Sequence, residues 1–234
     1  MKQHRSIDGK IKTCTIIKEG AKWFACFSCE VNTKELESTE KSVGIDVGLE
    51  NLAVLSTGEE IKNPRFFQKE QKNLVKAQRK LSELEIGSSG RKKQKKVVQK
   101  IHRRVRNKRS NFCHQTSRQI INQFQYICIE DLNIKKMMQG SYLAKSISDA
   151  SWNQFCQFLT YKAAEAGRKL GVVNPAYTSQ TCSQCGNCIE KKLSERTHLC
   201  MECGYKASRD LNAAQNILAL GLDGLGLIPR SLRL

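Results

Sequence analysis

The chain has 234 residues, enough for one large domain or two small ones with a buried core. It carries 40 Lys and Arg against 22 Asp and Glu, a formal net charge of +18, which favours a polyanionic partner. No apolar run approaches the length of about 18 residues needed to cross a membrane, and the start lacks the apolar core of a secretory signal. Eleven cysteines without an export signal indicate reduced thiols in a cytosol and argue against a disulfide framework.

The first half of the chain alternates strand and helix patterns. Residues 9–31 are predicted to form two strands around the turn KEGAK. After a polar linker, SVGIDVG and NLAVLS are predicted to form a second hairpin. Two amphipathic helical runs separated by IGSSG then predict an antiparallel helical hairpin. Their apolar faces carry Leu74, Ala77, Leu81 and Leu84 in the first run and Val98, Ile101, Val105 and Phe112 in the second.

The second half adds a buried strand, two helices and a cysteine-rich segment. QYICIEDL is short, apolar and β-branched, which is typical of a strand buried on both faces. Apolar residues from Trp152 to Ala166 predict a helix that we expect Gly171 to end. VVNPAY is predicted to be a strand that leads into the cysteines, and the last helix to start near Ser208.

Four cysteines have the spacing of a metal site. Cys182 and Cys185, then Cys200 and Cys203, form two C-x2-C pairs with fourteen residues between them. Each pair fits a tight turn, and four thiolates suit the closed tetrahedral site of structural Zn²⁺. Spacing this regular favours a zinc site over scattered reduced cysteines.

Other possible ligands of a soft metal ion are better assigned to packing or to a spare position. Cys188 offers a third thiol beside the first pair and is interpreted as a spare. Cys26 and Cys29 also form C-x2-C, but they lie in a strand pattern, where residues three apart face opposite sides, so packing is the better interpretation. His198 could replace a thiol, but four cysteines leave no vacancy.

Three carboxylates occupy positions that suit a second metal site. Asp46 lies in a strand pattern between two glycines, Glu130 ends the apolar strand, and Asp210 lies in the first turn of the last helix. Taken singly, each is an ordinary feature: a turn, a strand end or a residue favoured by the helix dipole. Brought together, they would repel one another unless divalent cations neutralised them. Mg²⁺ or Mn²⁺ held in this way is the two-metal arrangement for phosphodiester hydrolysis. Asp131 points to the other face from Glu130, so at most one of the two joins Asp46.

Five stretches resemble the TnpB/OrfB family of transposon-encoded proteins. They are SVGIDVGLENLAVLSTG, IEDLNIKKM, SWNQFCQFLTYKAAEAGRKL, NPAYTSQTCSQCG and CGYKASRDLNAAQNI. Members are described as transposases and understood as RNA-guided DNA endonucleases related to type V CRISPR effectors. The resemblance implies an α/β fold with a RuvC-like, RNase H-type mixed sheet flanked by helices, and a four-cysteine zinc ribbon before the last helix. It also implies that Asp46, Glu130 and Asp210 are the catalytic acids and Mg²⁺ or Mn²⁺ ligands, and that the four cysteines hold structural Zn²⁺.

The resemblance divides the chain into four parts. They are a β-barrel remnant at 1–35, a nuclease core at 41–180 with a helical hairpin at 66–124, the zinc ribbon at 181–206, and the last helix with a tail at 207–234. Ser208 stands where the family has the first acid of a DRD motif. Relatives carry a helical recognition module and most of a β-barrel ahead of the core, so this chain is expected to be truncated at its N-terminus.

The strongly basic segment 91–109 is predicted to bind nucleic acid. Val98, Ile101 and Val105 tie one helical face to protein, which leaves a basic face for phosphates. Such contacts position a nucleic acid without reading its sequence, and an aromatic content of 6% argues against a long base-stacking groove. The predicted contacts are Arg91, Lys92, Lys93, Lys95, Lys96, Lys100, Arg103, Arg104, Arg106, Lys108 and Arg109.

These observations favour a metal-dependent DNA endonuclease of a mobile element, with DNA as substrate and guide RNA as partner, in a bacterial or archaeal cytosol near the nucleoid. Two alternatives stay open, a non-catalytic nucleic-acid-binding remnant and a strand-transferring transposase, because fold does not settle function. The sequence has no Ser-His-Asp candidate and no phosphate-binding G-x-x-x-x-G-K-[ST] motif. It does not specify an oligomeric state.

Overall fold

The computed structural model describes residues 6–20, 22–32, 35–139, 141–192 and 194–227. Its strands are β1 Lys10–Glu19, β2 Lys22–Glu30, β3 Ser42–Val47, β4 Asn51–Leu55, β5 Glu60–Lys62, β6 Tyr126–Glu130, β7 Lys169–Val173, β8 Thr197–Leu199 and β9 Lys206–Ser208. Its helices are α1 Phe66–Glu83, α2 Ser89–Gln123, α3 Ile134–Met138, α4 Ala144–Ala150, α5 Trp152–Glu165 and α6 Arg209–Gly224. The outer ends of the predicted parts 1–35 and 207–234, and one residue of the KEGAK turn, lie outside the described residues.

The chain forms two compact units, of which the first combines the described residues up to Glu35 with Glu70–Val105. Strands β1 and β2 pair antiparallel, as the sequence predicts. The two helical segments of this unit are also hydrogen-bonded: Gln94 Nε2 donates to the Ala77 carbonyl at 2.9 Å, and Arg91 Nη1 donates to the Leu81 carbonyl at 2.7 Å. The basic residue Arg91 therefore helps to satisfy carbonyls at the end of α1.

The second unit, Leu36–Lys69 with the chain from Arg106 onward, contains a five-stranded sheet of order β5-β4-β3-β6-β7. β3 pairs antiparallel with β4 and parallel with β6, and β6 pairs parallel with β7. The sheet is thus mixed, and helices cover both of its faces. This confirms the predicted α/β class and the predicted second hairpin.

Side chains alternate between two cores on either side of the central strands. Val43 and Ile45 of β3 pack with Phe155 and Leu159 of α5 in the larger core. The opposite face meets α6, where Cys128 of β6 packs in a smaller core. Because successive strand residues face opposite sides, the alternation decides which side chains of β3 can reach α6.

One predicted boundary is wrong. We expected Gly171 to end the helix that starts at Trp152, but α5 ends at Glu165 and Gly171 lies within β7. Gly167, at φ 68°, is the glycine that turns the chain out of the helix. β7 ends at Val173, so only the first two residues of the predicted strand VVNPAY are extended in the sheet.

Gly44 lets α6 approach β3 closely, and its replacement is expected to be costly. A Cβ at this position would lie 2.1 Å from the Ala214 carbonyl oxygen, so Gly44→Ala must displace the helix. We expect it to lower the free energy of unfolding by about 3 kcal/mol, measured by urea denaturation. Gly224→Ala, at the end of α6 with open space around it, is the control and should leave stability within about 0.5 kcal/mol of the parent. Equal stabilities of the two variants would contradict the close approach.

Candidate acidic site and thiol cluster

The α6 face of the sheet carries two of the three predicted acids. Asp46 shares the face of Gly44, the residue that meets α6, because the two are separated by two positions on β3. Glu130 is the last residue of the neighbouring strand β6. Both acids therefore lie near the carboxyl ends of adjacent parallel strands, where the sheet edge opens toward ligands.

The third acid, Asp210, is placed by the start of α6. Ser208 has extended backbone geometry, and its side chain accepts a hydrogen bond from the Leu211 amide at 3.1 Å, so it caps the helix. Asp210 consequently lies in the first turn, where the helix dipole favours a negative charge. Ser208, which replaces the first acid of the family motif, therefore still caps the start of α6.

The electrostatics of Asp46 link the three acids. The pKa of its carboxyl is raised well above its ordinary value, first by burial and then by the negative charges of Glu130 and Asp210. The charges of Arg209 and Arg196 oppose that rise in pKa. Burial also raises the pKa of Glu130, and a hydrogen bond from Thr178 opposes it. A divalent cation between these carboxylates would offset both the cost of burying their charges and the repulsion between them.

The donor set of the acidic site suits a hard cation, because carboxylate oxygens are the ligands that Mg²⁺ and Mn²⁺ prefer. The carboxylates are more widely spaced than the thiols. Within the described ranges, only the four-thiol cluster has all of its ligand atoms within 4.8 Å of one another. Asp131, the neighbour of Glu130, is exposed and lines a cleft of about 370 Å³ beside α5.

The four predicted cysteine ligands lie together in a cluster that can hold a metal ion. Cys182 Sγ lies 3.7 Å from Cys203 Sγ, and Cys185 Sγ lies 3.5 Å from Cys200 Sγ. A Zn–S bond of about 2.3 Å in a tetrahedral site requires sulfur atoms about 3.8 Å apart, so the cluster fits zinc. Backbone hydrogen bonds, first that of the Cys203 amide, lower the pKa of the Cys200 thiol to about 7, whereas burial and hydrogen bonds with neighbouring thiols raise the pKa values of Cys185 and Cys203.

Two tight turns shape the thiol cluster. The Gly186 amide donates to the Cys182 carbonyl, and the Gly204 amide donates to the Cys200 carbonyl, each at 2.9 Å. Both glycines have positive φ, 76° and 75°, the left-handed geometry that glycine adopts without strain. The turns bring each cysteine pair to one side of the loop that holds it.

The remaining candidate soft ligands lie outside the cluster. Cys188 is exposed and forms an isolated bridge with Thr181. His198 is fully buried in β8, with Nδ1 against the Lys191 ammonium and its ring beside Tyr205, so it packs as part of the segment's interior. Cys26 is exposed on β2, and neither it nor Cys29 belongs to a metal-ligand group in the described part of the chain.

Sequence reasoning missed several polar residues around the acids. Thr178 donates to Glu130, and Asn212 and Asn216 are buried on α6 with side-chain bonds to the segment that leads to Cys182. Two asparagines four residues apart on an otherwise apolar helix face are the signal that could have identified them. The arginine charges near Asp46 had no comparable signal, because basic residues are abundant throughout the sequence.

Most residues of the predicted basic surface are solvent-exposed on α2, and several of them also have protein partners. Arg91 binds carbonyls at the end of α1, Arg104 lies 3.5 Å from Glu70, and Arg109 donates to the Ser148 carbonyl at 2.5 Å. The exposed residues of the set are Lys92, Lys93, Lys95, Lys96, Lys100, Arg104, Arg106 and Lys108. No helix in the described ranges combines the length and the apolar character that crossing a bilayer requires.

Two family models match the chain. "OrfB_IS605: Probable transposase" matches residues 26–140, and "Cas12f1-like, TNB domain" matches residues 152–217. The first ends beyond the strand that carries Glu130, and the second includes all four clustered cysteines and Asp210.

Curated relatives agree with these models. A "Putative RNA-guided DNA endonuclease" of Streptomyces pristinaespiralis is 38% identical over 90% of this chain and 53% of its own length. The "Putative RNA-guided DNA endonuclease InsQ" of Escherichia coli is 32% identical over 93% of this chain and 58% of its own. The chain therefore spans little more than half the length of these relatives.

Solved structures show the same fold. The chain of a Cas12f1–sgRNA–target DNA complex matches with a TM-score of 0.56 and 19% identity, over 87% of this chain and 55% of that one. A CRISPR–Cas12f ternary complex matches with a TM-score of 0.60 and 21% identity, over 84% and 42% respectively. With the family models, the relatives and the fold in agreement, this chain belongs to the TnpB/OrfB family.

Proposed function

We propose that this chain contains the catalytic core of a metal-dependent DNA endonuclease of the RuvC type, in which RNA directs the whole protein to its target. The observation that carries the proposal is the placement of three acids at one end of the sheet, where the charges of Glu130 and Asp210 act on Asp46 and, with its burial, raise its pKa. Repelling carboxylates at the end of a sheet are costly unless they serve a cation, which makes them candidates for a functional site. Relatives described as RNA-guided DNA endonucleases support the same activity.

In this proposal Asp46, Glu130 and Asp210 bind Mg²⁺ or Mn²⁺. The bound ions would activate a water molecule for attack on a phosphodiester and stabilise the departing oxygen. The protein contributes a rigid arrangement, because two of the acids are fixed by strands and the third by a capped helix start. Arg196 and Arg209 add positive charge beside the acids, which would attract the phosphate backbone of a substrate.

The thiol cluster and the basic helix have supporting roles in the proposal. Zn²⁺ held by the four cysteines would stabilise a ribbon at 181–206 between the nuclease core at 41–180 and the last helix. Basic side chains of 91–109 would bind phosphates of DNA or guide RNA, so each phosphate neutralised should add about 0.9 to the slope of log affinity against log salt on duplex DNA. The hairpin β1–β2 would belong to a β-barrel domain.

The proposal is tested by incubating purified protein with supercoiled and linear DNA and Mg²⁺, with and without a guide RNA from a transposon end. We expect Mg²⁺-dependent strand breaks produced by hydrolysis of the phosphodiester bond. Salt-sensitive binding without breaks under Mg²⁺ or Mn²⁺ would instead identify a nucleic-acid-binding remnant. Products in which one DNA end is joined to another strand would identify a transferase.

Arg196→Ala is expected to reduce cleavage. Arg196 is exposed and its charge acts on Asp46, so it can contact a phosphate beside the metal ligands. We expect a loss of about tenfold or more in the cleavage rate at saturating DNA. Lys206→Ala, which removes an exposed charge from β9, is the matched control and should retain the parent rate. If both variants cleave equally, the Arg196 charge has no specific role.

A further inference from the structure

A buried hydroxyl holds the Glu130 carboxylate. Thr178, only 4% exposed, donates from Oγ1 to Glu130 Oε1 at 2.5 Å. The same hydroxyl lies 3.1 Å from the Pro175 carbonyl, but it has a single hydrogen. The shorter contact to the charged acceptor is the stronger one, so the hydrogen goes to the carboxylate. This bond restricts the orientation of the Glu130 carboxylate, and lone pairs on both of its oxygens remain that could bind a cation.

Thr178 is itself fixed by α6. Asn216 Nδ2 donates to the carbonyls of Thr178 and Thr181 at 2.8 and 2.7 Å. Asn212 Nδ2 donates to the Thr181 carbonyl at 2.7 Å, and its Oδ1 accepts from the Ser183 amide at 3.0 Å. Both asparagines are at least nine-tenths buried, so these bonds form where unpaired amides would be costly.

The turn before Thr178 is strained. Tyr177 has φ 64°, in the left-handed region that side chains with a Cβ rarely adopt. Its carbonyl accepts from the Gln180 and Thr181 amides, each at 2.9 Å, so the turn is held in place despite the strain. Strain that persists because surrounding bonds over-determine it is typical of sites that need a fixed geometry.

These bonds connect the elements that carry the acids. α6 holds Asp210 and, through Asn216, fixes Thr178, which in turn holds Glu130 on β6. We propose that Thr178 is a positioning residue that fixes the Glu130 carboxylate for metal binding, and that Asn212 and Asn216 set its position from α6. This inference rests on the proposed function, because it assumes that the acids bind a divalent cation.

The expected effect follows from the behaviour of groups that orient metal ligands. Loss of such a hydrogen bond costs about 10- to 100-fold in metal affinity. Thr178→Val keeps the shape of the side chain and removes the donor, so we expect Mn²⁺ affinity to fall by about tenfold or more. Thr178→Ser keeps the hydroxyl and should restore affinity to within about threefold of the parent.

The experiment measures Mn²⁺ binding by the electron paramagnetic resonance signal of free Mn²⁺, with Zn²⁺ content and melting temperature recorded for each variant. Thr178→Ala accompanies Thr178→Ser, so that the hydroxyl can be assessed even if the valine variant fails to fold. Thr197→Val, an exposed threonine in β8, is the matched control and should bind as the parent does. Asp46→Ala gives the level of binding outside the acidic site.

Weak binding in the valine and alanine variants, with parental binding in the serine variant, supports the positioning role. Parental affinity in Thr178→Ala, or equally weak binding in Thr178→Ser and Thr178→Ala, overturns it, because the hydroxyl would then make no difference. If the unsubstituted protein binds no more Mn²⁺ than Asp46→Ala, the proposed function itself fails. Failure of the proposed function would therefore show in the unsubstituted protein, whereas failure of the positioning role would show only in the Thr178 variants.

Discussion

Asp46→Asn is expected to abolish DNA cleavage while leaving nucleic-acid binding intact. The substitution keeps the size of the side chain but removes one of the three charges that would hold the divalent ions. Metal stabilisation of charge in the transition state is worth several kcal/mol, and each 1.36 kcal/mol is a factor of ten in rate. We therefore expect the rate of Mg²⁺-dependent cleavage to fall by about a thousandfold or more. The measurement is single-turnover cleavage of labelled DNA, with binding followed separately by fluorescence anisotropy.

Glu130→Gln and Asp131→Asn provide a matched comparison within the same experiment. The two acids are consecutive and both line the cleft beside α5, but the Glu130 charge acts on Asp46, whereas Asp131 is exposed and does not contribute to the raised pKa of Asp46. We expect Glu130→Gln to lose activity as Asp46→Asn does, and Asp131→Asn to keep it. Equal loss in both neighbours would indicate a general effect of negative charge at the strand end. Undiminished cleavage by Asp46→Asn would reject the assignment of the acidic site.

Asp46→Asn should also increase the stability of the folded protein at neutral pH in the absence of Mg²⁺. Because the pKa of Asp46 is raised in the folded state, its ionisation is less favourable there than in the unfolded chain. The folded protein therefore loses stability as pH rises from the ordinary value of 3.8 through the higher folded-state pKa. Without Mg²⁺, Asp46→Asn should melt at a higher temperature than the parent at neutral pH and at a similar temperature below the ordinary pKa. Adding Mg²⁺ should stabilise only the parent.

The thiol cluster could be predicted from the sequence because its geometry is encoded locally. Cys182 and Cys185 are brought together by one tight turn, and Cys200 and Cys203 by another, so spacing alone indicates two halves of one site. Spacing alone did not exclude Cys188, because Cys185 and Cys188 also form a C-x2-C pair, and it is the fold that places Cys188 outside the cluster. Strand β6 could also be predicted from the sequence, because a short, β-branched apolar run between polar segments is typical of a strand at the centre of a sheet.

The surroundings of the acids could not be predicted in the same way. Thr178 and Glu130 are 48 residues apart and meet only because the segment after β7 turns back toward β6. Asn216 contacts that segment because α6 packs closely on β3 at Gly44, a tertiary approach that no local pattern specifies. The helix end at Glu165 was missed for a related reason. EAGRKLG contains two glycines, and pairing of the second in β7 decides which of them can end α5.

Removal of the metal from the thiol cluster is expected to unfold the ribbon and disturb α6. Strands β8 and β9 have three residues each, too few to form an independently stable sheet, so a metal ion held by the four thiols would supply much of the local folding free energy. Cys200→Ser should lower bound zinc from about one ion per chain to nearly none. Amide hydrogen exchange should then increase in β8, β9 and the first turn of α6, but not in β3. Cleavage should fall because Asp210 lies in that first turn.

Cys188→Ser is the appropriate control, because it removes an exposed thiol from the same segment without touching the four-thiol cluster. We expect it to retain full zinc content, parental hydrogen exchange and parental cleavage. β9 continues directly into α6 through the capping residue Ser208, so disorder in the ribbon has a short covalent route to Asp210. A zinc-free Cys200→Ser protein with unchanged exchange in α6 and full cleavage would show that the thiol cluster and the acidic site are structurally independent.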